Sequence, residues 1–258
     1  FNRMYSLIME ITSRAPLRLS LAGGGTDVEP FLSEYGSKVL NFTINLFVRG
    51  HCTIDSDQVG LKVNNIEFSS SNKPINQIDN LFTSRLLKSL TSKFPHRELA
   101  KLNLSIQSPV SPGSGLGASS AVVVTAIGLL TKHFEETFDL QKIAKTAWEV
   151  ERIDMQIAGG FQDQYSSTFG GFNLLSGKDP LSINVESLKL EDSFIREFED
   201  SLLLVDLGIS RDGAKVISKQ IERSQDKNPI ILKALHSQKE IVDQMMKYLI
   251  SSDIRGIG

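Results

Sequence analysis

The sequence predicts an α+β fold. The prediction rests on short runs that alternate apolar and polar residues, on longer runs with apolar residues near the helical period, and on the lack of a steady strand–helix alternation between them. At 258 residues, 40% hydrophobic and 22% charged, the chain has the composition of a globular protein with enough apolar surface for a core.

The elements follow in order. Residues 10–21 alternate, with Pro16 as a break, and predict one or two strands. LAGGGTD, 21–27, is a tight glycine turn. Residues 39–55 alternate long enough to predict a hairpin, VLNFTIN and then LFVRGHCTID. Shorter strands are expected over 60–68. Residues 76–94 place Ile78, Leu81, Phe82, Leu86, Leu87 and Leu90 near helical period, and Pro95 ends that helix. Residues 102–106 form a strand that leads into SPGSGLGASSAVVV, 111–124. A buried helix is expected over 119–134 and a second over 140–157, closed by Gly159 and Gly160. Residues 161–175 are mixed and glycine-rich, 176–200 read as a polar crossover, 201–208 as a buried strand, and 212–252 as helical.

Several function classes drop out early. Formal net charge is −2, so neither nucleic acid nor an anionic membrane surface is expected as a partner. The one cysteine, Cys52, precludes an internal disulfide and fits a reducing, cytoplasmic setting. His51, His96, His133 and His236 are scattered, and no Cys/His set has the spacing of a structural zinc site. The longest apolar run, 121–130, is about half of the roughly 20 residues a membrane span needs, and 1–16 lacks the apolar core of a signal peptide.

The strand, glycine loop and helix around 111–124 form a phosphate-binding arrangement. Glycines let backbone N–H groups approach an anion, and the first helical turn adds unpaired N–H groups and the positive end of its dipole. A plain helix entry with serine caps is the competing reading. A Walker loop is excluded because no lysine lies between Gly113 and Lys132. A Rossmann fingerprint is excluded because Ser120 stands where its third glycine belongs.

Pro112-Gly113-Ser114-Gly115-Leu116-Gly117-Ala118-Ser119-Ser120-Ala121 resembles the P-x-x-x-G-L-G-S-S-A motif of the GHMP kinases. Ala15-Pro16-Leu17-Arg18-Leu19-Ser20-Leu21-Ala22-Gly23-Gly24-Gly25-Thr26-Asp27 is similar, position for position, to the galactokinase-type A-P-G-R-V-N-L-I-G-E-H-T-D. Gly160-Phe161-Gln162-Asp163-Gln164-Tyr165 resembles the G-x-x-D-Q-F/Y segment of the family's sugar kinases. Taken together with TFGGFN, these pieces look most like the heptose phosphate kinases, and bacterial fucokinases share much of the signature.

The resemblance implies ATP and Mg²⁺ as cofactors and a sugar or sugar phosphate as acceptor. Gly113 to Ser120, with Pro112 before them, would wrap the ATP phosphates. Ser119 would touch Mg²⁺, with Ser120 as its competitor, because Ala118 replaces the first serine of the commoner motif. Glu151 would be the Mg²⁺ carboxylate, with Glu149 and Asp154 as alternatives. Asp163 would orient the anomeric hydroxyl and accept its proton. Arg18 would stand beside Asp163 and stabilise charge on the transferring phosphoryl group. Gly24, Gly25, Thr26 and Asp27 would contact the sugar. Against these stand plainer readings: a solvated acid at Glu151, a turn aspartate at Asp163, a surface arginine at Arg18, and a turn residue or helix N-cap at Asp27. A substrate phosphate would need further cations, and Arg14, Lys38, Arg49 and Arg211 cannot be ranked by charge alone.

The implied architecture has two lobes, an N-terminal lobe of the ribosomal-S5-domain-2-like type over 9–185 and a ferredoxin-like C-terminal lobe over 186–258. Family members carry a further G-A-G-x-G-G-type motif near the C-terminus. Nothing after Gly208 supplies it, so the C-terminal lobe is expected to be incomplete. The expected activity is phosphorylation of the anomeric hydroxyl of D-glycero-D-manno-heptose 7-phosphate. A fucokinase or galactokinase-like enzyme, an inactive nucleotide- or sugar-binding member, and a decarboxylase of the mevalonate branch are the alternatives.

Overall fold

A computed structural model describes residues 11–54, 60–63, 66–69, 81–95, 102–111, 113–205, 213–225 and 227–258. Among them the fold is mixed α+β, and one twisted sheet organises it. The strands are β1 (Ile11–Ala22), β2 (Ser37–Ile54), β3 (Gly60–Val63), β4 (Ile66–Ser69), β5 (Leu102–Gln107), β6 (Phe172–Gly177) and β7 (Asn184–Leu188). Their order is β4-β3-β5-β2-β6-β7, with β1 paired to β2.

β2 is the spine. The expected hairpin over 39–55 is instead one continuous strand. Its residues 40–52 pair with β1, while 37–42 pair with β6 and 49–54 with β5. β1 therefore occupies one edge of β2 along its length, and β6 and β5 share the other. The register passes from Pro16↔Phe47 to Arg18↔Thr43, so residues 44–46 bulge opposite Leu17. Asn45 and Leu46 in that bulge produced the turn-like break in the sequence pattern. Pro16 lacks an N–H and sits where the ladder is already irregular.

The helices are α1 (Phe31–Tyr35), α2 (Leu81–Lys93), α3 (Ala118–His133), α4 (Leu140–Trp148), α5 (Gln162–Phe169), α6 (Asp192–Asp200), α7 (Gly213–Gln225), α8 (Pro229–Ile250) and α9 (Ile254–Ile257). α3 is apolar almost all round because it is enclosed. It packs with α2 on β1, β2, β3 and β5 in a core that includes Leu17, Val48, Leu61, Leu104, Ile106, Leu86, Val123 and Ile127. Adjacent residues of β2 and β6 serve opposite faces. Val39 and Leu175 pack with Ala144 of α4, with Tyr165 of α5 and with Phe161, the N-cap of α5. Leu40 and Leu174 pack with Phe194 and Phe198 of α6 and with Val242 and Leu249 of α8.

Other expectations need correction. The helix expected over 140–157 is α4 followed by a π-helical turn, Glu149–Asp154, which widens the backbone where Met155 N–H donates to Val150 O. The polar crossover over 176–200 contains β7 and α6. α6 was readable from its buried i, i+4 pair Phe194 and Phe198. The expected division at 185/186 falls within β7, which pairs with β6. Residues 202–205 of the expected buried strand are irregular and exposed, Leu203 at 85%. Residues 206–208 lie outside the described residues. A short apolar run has no periodicity that distinguishes a buried strand from an uncovered segment. The long C-terminal helix divides into α7 and α8, with Asn228 capping α8 through a hydrogen bond from Ile230 N–H. No helix among the described residues is long and apolar enough to cross a membrane.

Candidate active site

The glycine loop leaves β5, meets β1 at Arg18 and enters α3. Gly117 is the N-cap of α3 and has φ 73°, and no side chain caps the helix. The serine-cap reading of the loop therefore fails. A Cβ at Gly117 would lie 3.3 Å from Arg18 Cγ and 3.5 Å from Asp163 Cγ, so the loop lies directly on that pair. Leu116 is buried in the core and anchors the loop, while Gly113, Ser114 and Gly115 are exposed. Pro112 lies outside the described residues. The first turn of a helix leaves main-chain N–H groups without intrahelical partners, as an anion site requires.

Arg18 holds the loop from both ends of the residue. Its main-chain N–H donates to Leu116 O at 3.1 Å and its Nη1 to Gly115 O at 2.7 Å. Its Nε donates to Asp163 Oδ1 at 2.7 Å, and Nη2 pairs with the same oxygen. Three of the five guanidinium N–H donors are thus taken by protein groups. Arg18 stands beside Asp163 as expected and also braces the loop against that carboxylate. Asp163 lies in the first turn of α5, where a carboxylate suits the helix dipole. Among the described residues no donor reaches Asp163 Oδ2. The surface-arginine and turn-aspartate readings both fail, because residues 145 positions apart form one pair.

Glu151 is 1% exposed, so the solvated-acid reading fails as well. The π-helical turn brings it under α3. Ser119 Oγ donates to its Oε1 at 2.6 Å, and Ser120 Oγ and Gln164 Nε2 both donate to its Oε2. Ser119 is exposed and Ser120 buried, so Ser119 is the hydroxyl a cation in the cleft could reach. A hydroxyl and a carboxylate oxygen side by side at the foot of a phosphate loop fit Mg²⁺, which takes few protein ligands and completes its shell with phosphate and water. Glu149 and Asp154 are engaged elsewhere: Lys93 Nζ donates to Glu149 Oε2 at 2.7 Å and Ser89 Oγ donates to Asp154 Oδ2. No cluster of three or more His, Cys, Asp or Glu side chains suited to a metal occurs among the described residues.

Asp27 does not cap α1, whose N-cap is Pro30 with no side-chain hydrogen bond. It is 3% exposed. Its Oδ2 accepts from Gln162 N–H at 3.1 Å, and its Oδ1 has no protein partner. Burial pushes its pKa up from the ordinary aspartate value; the Gln162 N–H works against that shift, and the charge of Asp163 adds to it. A raised pKa means that the folded state holds the proton more tightly, so ionised Asp27 costs stability as pH rises. Asp27→Asn is therefore expected to raise the denaturant midpoint at pH 8. That gain should vanish by about pH 4, where the unfolded carboxyl also protonates. The same change should weaken sugar binding by about 10- to 100-fold, as loss of one charged hydrogen bond does. Unfolding curves at both pH values, with substrate titrations, check both halves.

Of the other expected sugar contacts, Gly24 and Gly25 line the turn. Thr26 is fully buried, and its hydroxyl donates to Gly23 O at 2.7 Å and accepts from Lys38 N–H at 3.3 Å. It ties the turn instead of facing a ligand. Sequence reasoning missed several contributors. Arg152 Nε donates to Gly160 O, Thr43 Oγ1 accepts from Gly171 N–H, and Gln220 of α7 donates to Gly25 O at 2.7 Å. Only the D-Q pair in the 160–165 motif could have flagged Gln164. Of the basic residues, Arg14 and Arg49 both lie over the Phe47 ring and Lys38 pairs with Asp243, while Arg211 lies outside the described residues.

Comparisons with known proteins bear on the family and the fold. The family model for the GHMP kinases N-terminal domain matches residues 80–171. The D-glycero-alpha-D-manno-heptose 7-phosphate kinase of Campylobacter jejuni is 31% identical over 255 residues, covering 94% of this chain and 72% of that protein. The bifunctional fucokinase/GDP-fucose pyrophosphorylase of Arabidopsis thaliana is 25% identical over 260 residues, 94% of this chain and 24% of that protein. A D-glycero-D-manno-heptose 1-phosphate kinase structure from Bacteriodes thetaiotaomicron superposes with TM-score 0.72 at 24% identity, over 95% of this chain and 75% of that one. The L. major mevalonate kinase structure does so with TM-score 0.68 at 17% identity, over 98% and 73%. The two structural likenesses establish the fold.

Proposed function

This chain belongs to the GHMP kinases, and from that membership we propose that it phosphorylates the anomeric hydroxyl of D-glycero-D-manno-heptose 7-phosphate. The coarser activity follows from the family: an ATP-dependent phosphotransferase with an alcohol acceptor, of the sugar kinase kind. The observation that carries the chemistry is the Arg18–Asp163 pair directly beneath Gly117. The heptose substrate is supported by the 31% identity to the Campylobacter jejuni enzyme.

Phosphoryl transfer asks for phosphate charge to be neutralised, the nucleophile to be placed in line and its proton to be accepted. The loop amides around Gly115 and Gly117 and the first-turn N–H groups of α3 hold phosphate oxygens. Asp163 presents Oδ2, free of protein donors among the described residues, to the acceptor hydroxyl and takes its proton as the new oxygen–phosphorus bond forms and the bond from the γ-phosphorus to the departing ADP oxygen breaks. Arg18 holds Asp163 and the loop in one frame, which fixes the distance between base and phosphate. Asp27 Oδ1 accepts a sugar hydroxyl, an exchange that supplies its missing partner. Mg²⁺, when bound, neutralises phosphate charge, and Ser119 Oγ with Glu151 Oε1 would hold it.

The test is ADP formation with Mg²⁺-ATP on D-glycero-D-manno-heptose 7-phosphate, D-mannose, L-fucose, D-galactose and mevalonate. Turnover is expected with the heptose phosphate alone. Turnover on L-fucose instead would move the substrate toward that of the Arabidopsis thaliana relative. Turnover on mevalonate, or CO₂ release from its phosphorylated derivatives, would overturn the sugar reading, and no turnover on any acceptor would overturn the kinase reading of this polypeptide.

A further inference from the structure

We infer that Gln164 is a positioning residue for the Mg²⁺ site: its amide locks the Glu151 carboxylate so that one lone pair, on Oε1, is left for the ion. The inference rests on the Ser119–Glu151 reading of that site. An ionised carboxylate offers about four acceptor positions, two on each oxygen. Oε2 receives Ser120 Oγ and Gln164 Nε2, which fill it. Oε1 receives Ser119 Oγ alone, so the open position lies on the side of the exposed serine. The donors come from two different elements, the first turn of α3 and the third residue of α5. The carboxylate therefore cannot rotate without breaking bonds to both.

The amide itself shows what it is held for. Gln164 is fully buried, and its Oε1 has no hydrogen-bond partner. Reversing the amide would set that oxygen against the negative carboxylate, so the bond to Glu151 dictates the orientation and leaves the acceptor unpaired. A buried half-satisfied amide is unfavourable where only packing is needed, since an apolar chain of the same length would fill the space without an orphan. Its position matters too. Gln164 follows Asp163 directly, so one turn of α5 sets both the proton acceptor and the orientation of the metal carboxylate. Partners that orient a metal ligand commonly change metal affinity by about 10- to 100-fold when removed.

The experiment uses Mn²⁺ with AMP-PNP as a spectroscopic probe of the intact chain. Affinity and EPR line shape are measured for the parent protein, Gln164→Met and Ser120→Ala, alongside kcat, sugar KM and thermal unfolding. Gln164→Met keeps chain length, and Ser120→Ala removes the other donor to Oε2 with little risk to the helix. Both are expected to weaken Mn²⁺·AMP-PNP by about tenfold or more and alter the line shape, with sugar KM within about twofold. Unchanged affinity and line shape in a folded Gln164→Met would overturn the inference, as would the same result in Ser120→Ala should Gln164→Met not fold. A parent protein that binds nucleotide no better with Mn²⁺ than without would instead remove the metal-site reading itself, and the inference with it.

Discussion

Asp163→Asn is expected to lower kcat by about 10²- to 10⁴-fold while the protein stays folded and still binds nucleotide. The substitution keeps the shape of the side chain. The asparagine carbonyl can replace Oδ1 and accept from Arg18 Nε, so the brace between the carboxylate and Gly115 survives. What changes is the atom turned toward the acceptor. Oδ2 has no protein donor among the described residues, and an amide nitrogen in its place cannot take a proton. Loss of the acceptor should therefore appear in the chemical step, with sugar KM and ATP affinity close to those of the parent. Single-turnover kinetics, which separate chemistry from product release, are the right measurement. A variant that turned over at the parent rate would remove Asp163 from the chemistry. A variant that lost nucleotide binding as well would show that the Arg18–Asp163 pair mainly holds the loop.

Gly160→Ala is expected to destabilise the fold by about 1–3 kcal/mol, as overpacking of a filled site does, and to abolish sugar binding with it. A Cβ at Gly160 would lie 1.9 Å from Asp27 Oδ2 and 2.8 Å from Asp27 O. Moving the carboxylate alone would not relieve the clash, because the main-chain oxygen is also too close. The carboxylate has nowhere inexpensive to go. It is buried, and its Oδ2 accepts from Gln162 N–H, two residues beyond the glycine. Gly160 O is in turn held by Arg152 Nε at 2.9 Å, which limits retreat of the 157–160 loop. Denaturant unfolding measures the first effect and sugar-dependent stabilisation the second. Parent stability with intact sugar binding would show that the loop yields freely and that Asp27 is not held as described.

The two sites differ in how far they could be read from the chain. The glycine loop is local: alternate glycines, a preceding strand and a following apolar helix lie consecutively between Leu102 and His133, and periodicity and turn chemistry are local signals. The bulge over 44–46 reads as a turn in the sequence because an interruption in alternation looks the same whether the strand reverses or only swells. Leu17, opposite the bulge, decides between them. The π-helical turn reads as plain helix because the widening that turns Glu151 inward has no distinct composition. Leu202 to Val205 reads as buried because apolar character states a preference for cover without saying whether any element provides it.

By itself, the sequence determined the α+β class, the strand–glycine loop–helix arrangement, and through its three motifs the family and the residue types that could do chemistry. Tertiary structure alone decided their partners. It set Arg18 against both the loop and Asp163, gave Ser119 rather than Ser120 the exposed hydroxyl, tied Thr26 into the turn, and brought Gln164 to Glu151 and Gln220 to Gly25. The physical reason is separation along the chain. Pairs such as Arg18–Asp163 and Asp27–Gln162 form only when a sheet and its helices set distant segments side by side. A hydrogen bond's partner is a fact of that packing, while a residue's capacity to bond is a fact of its type.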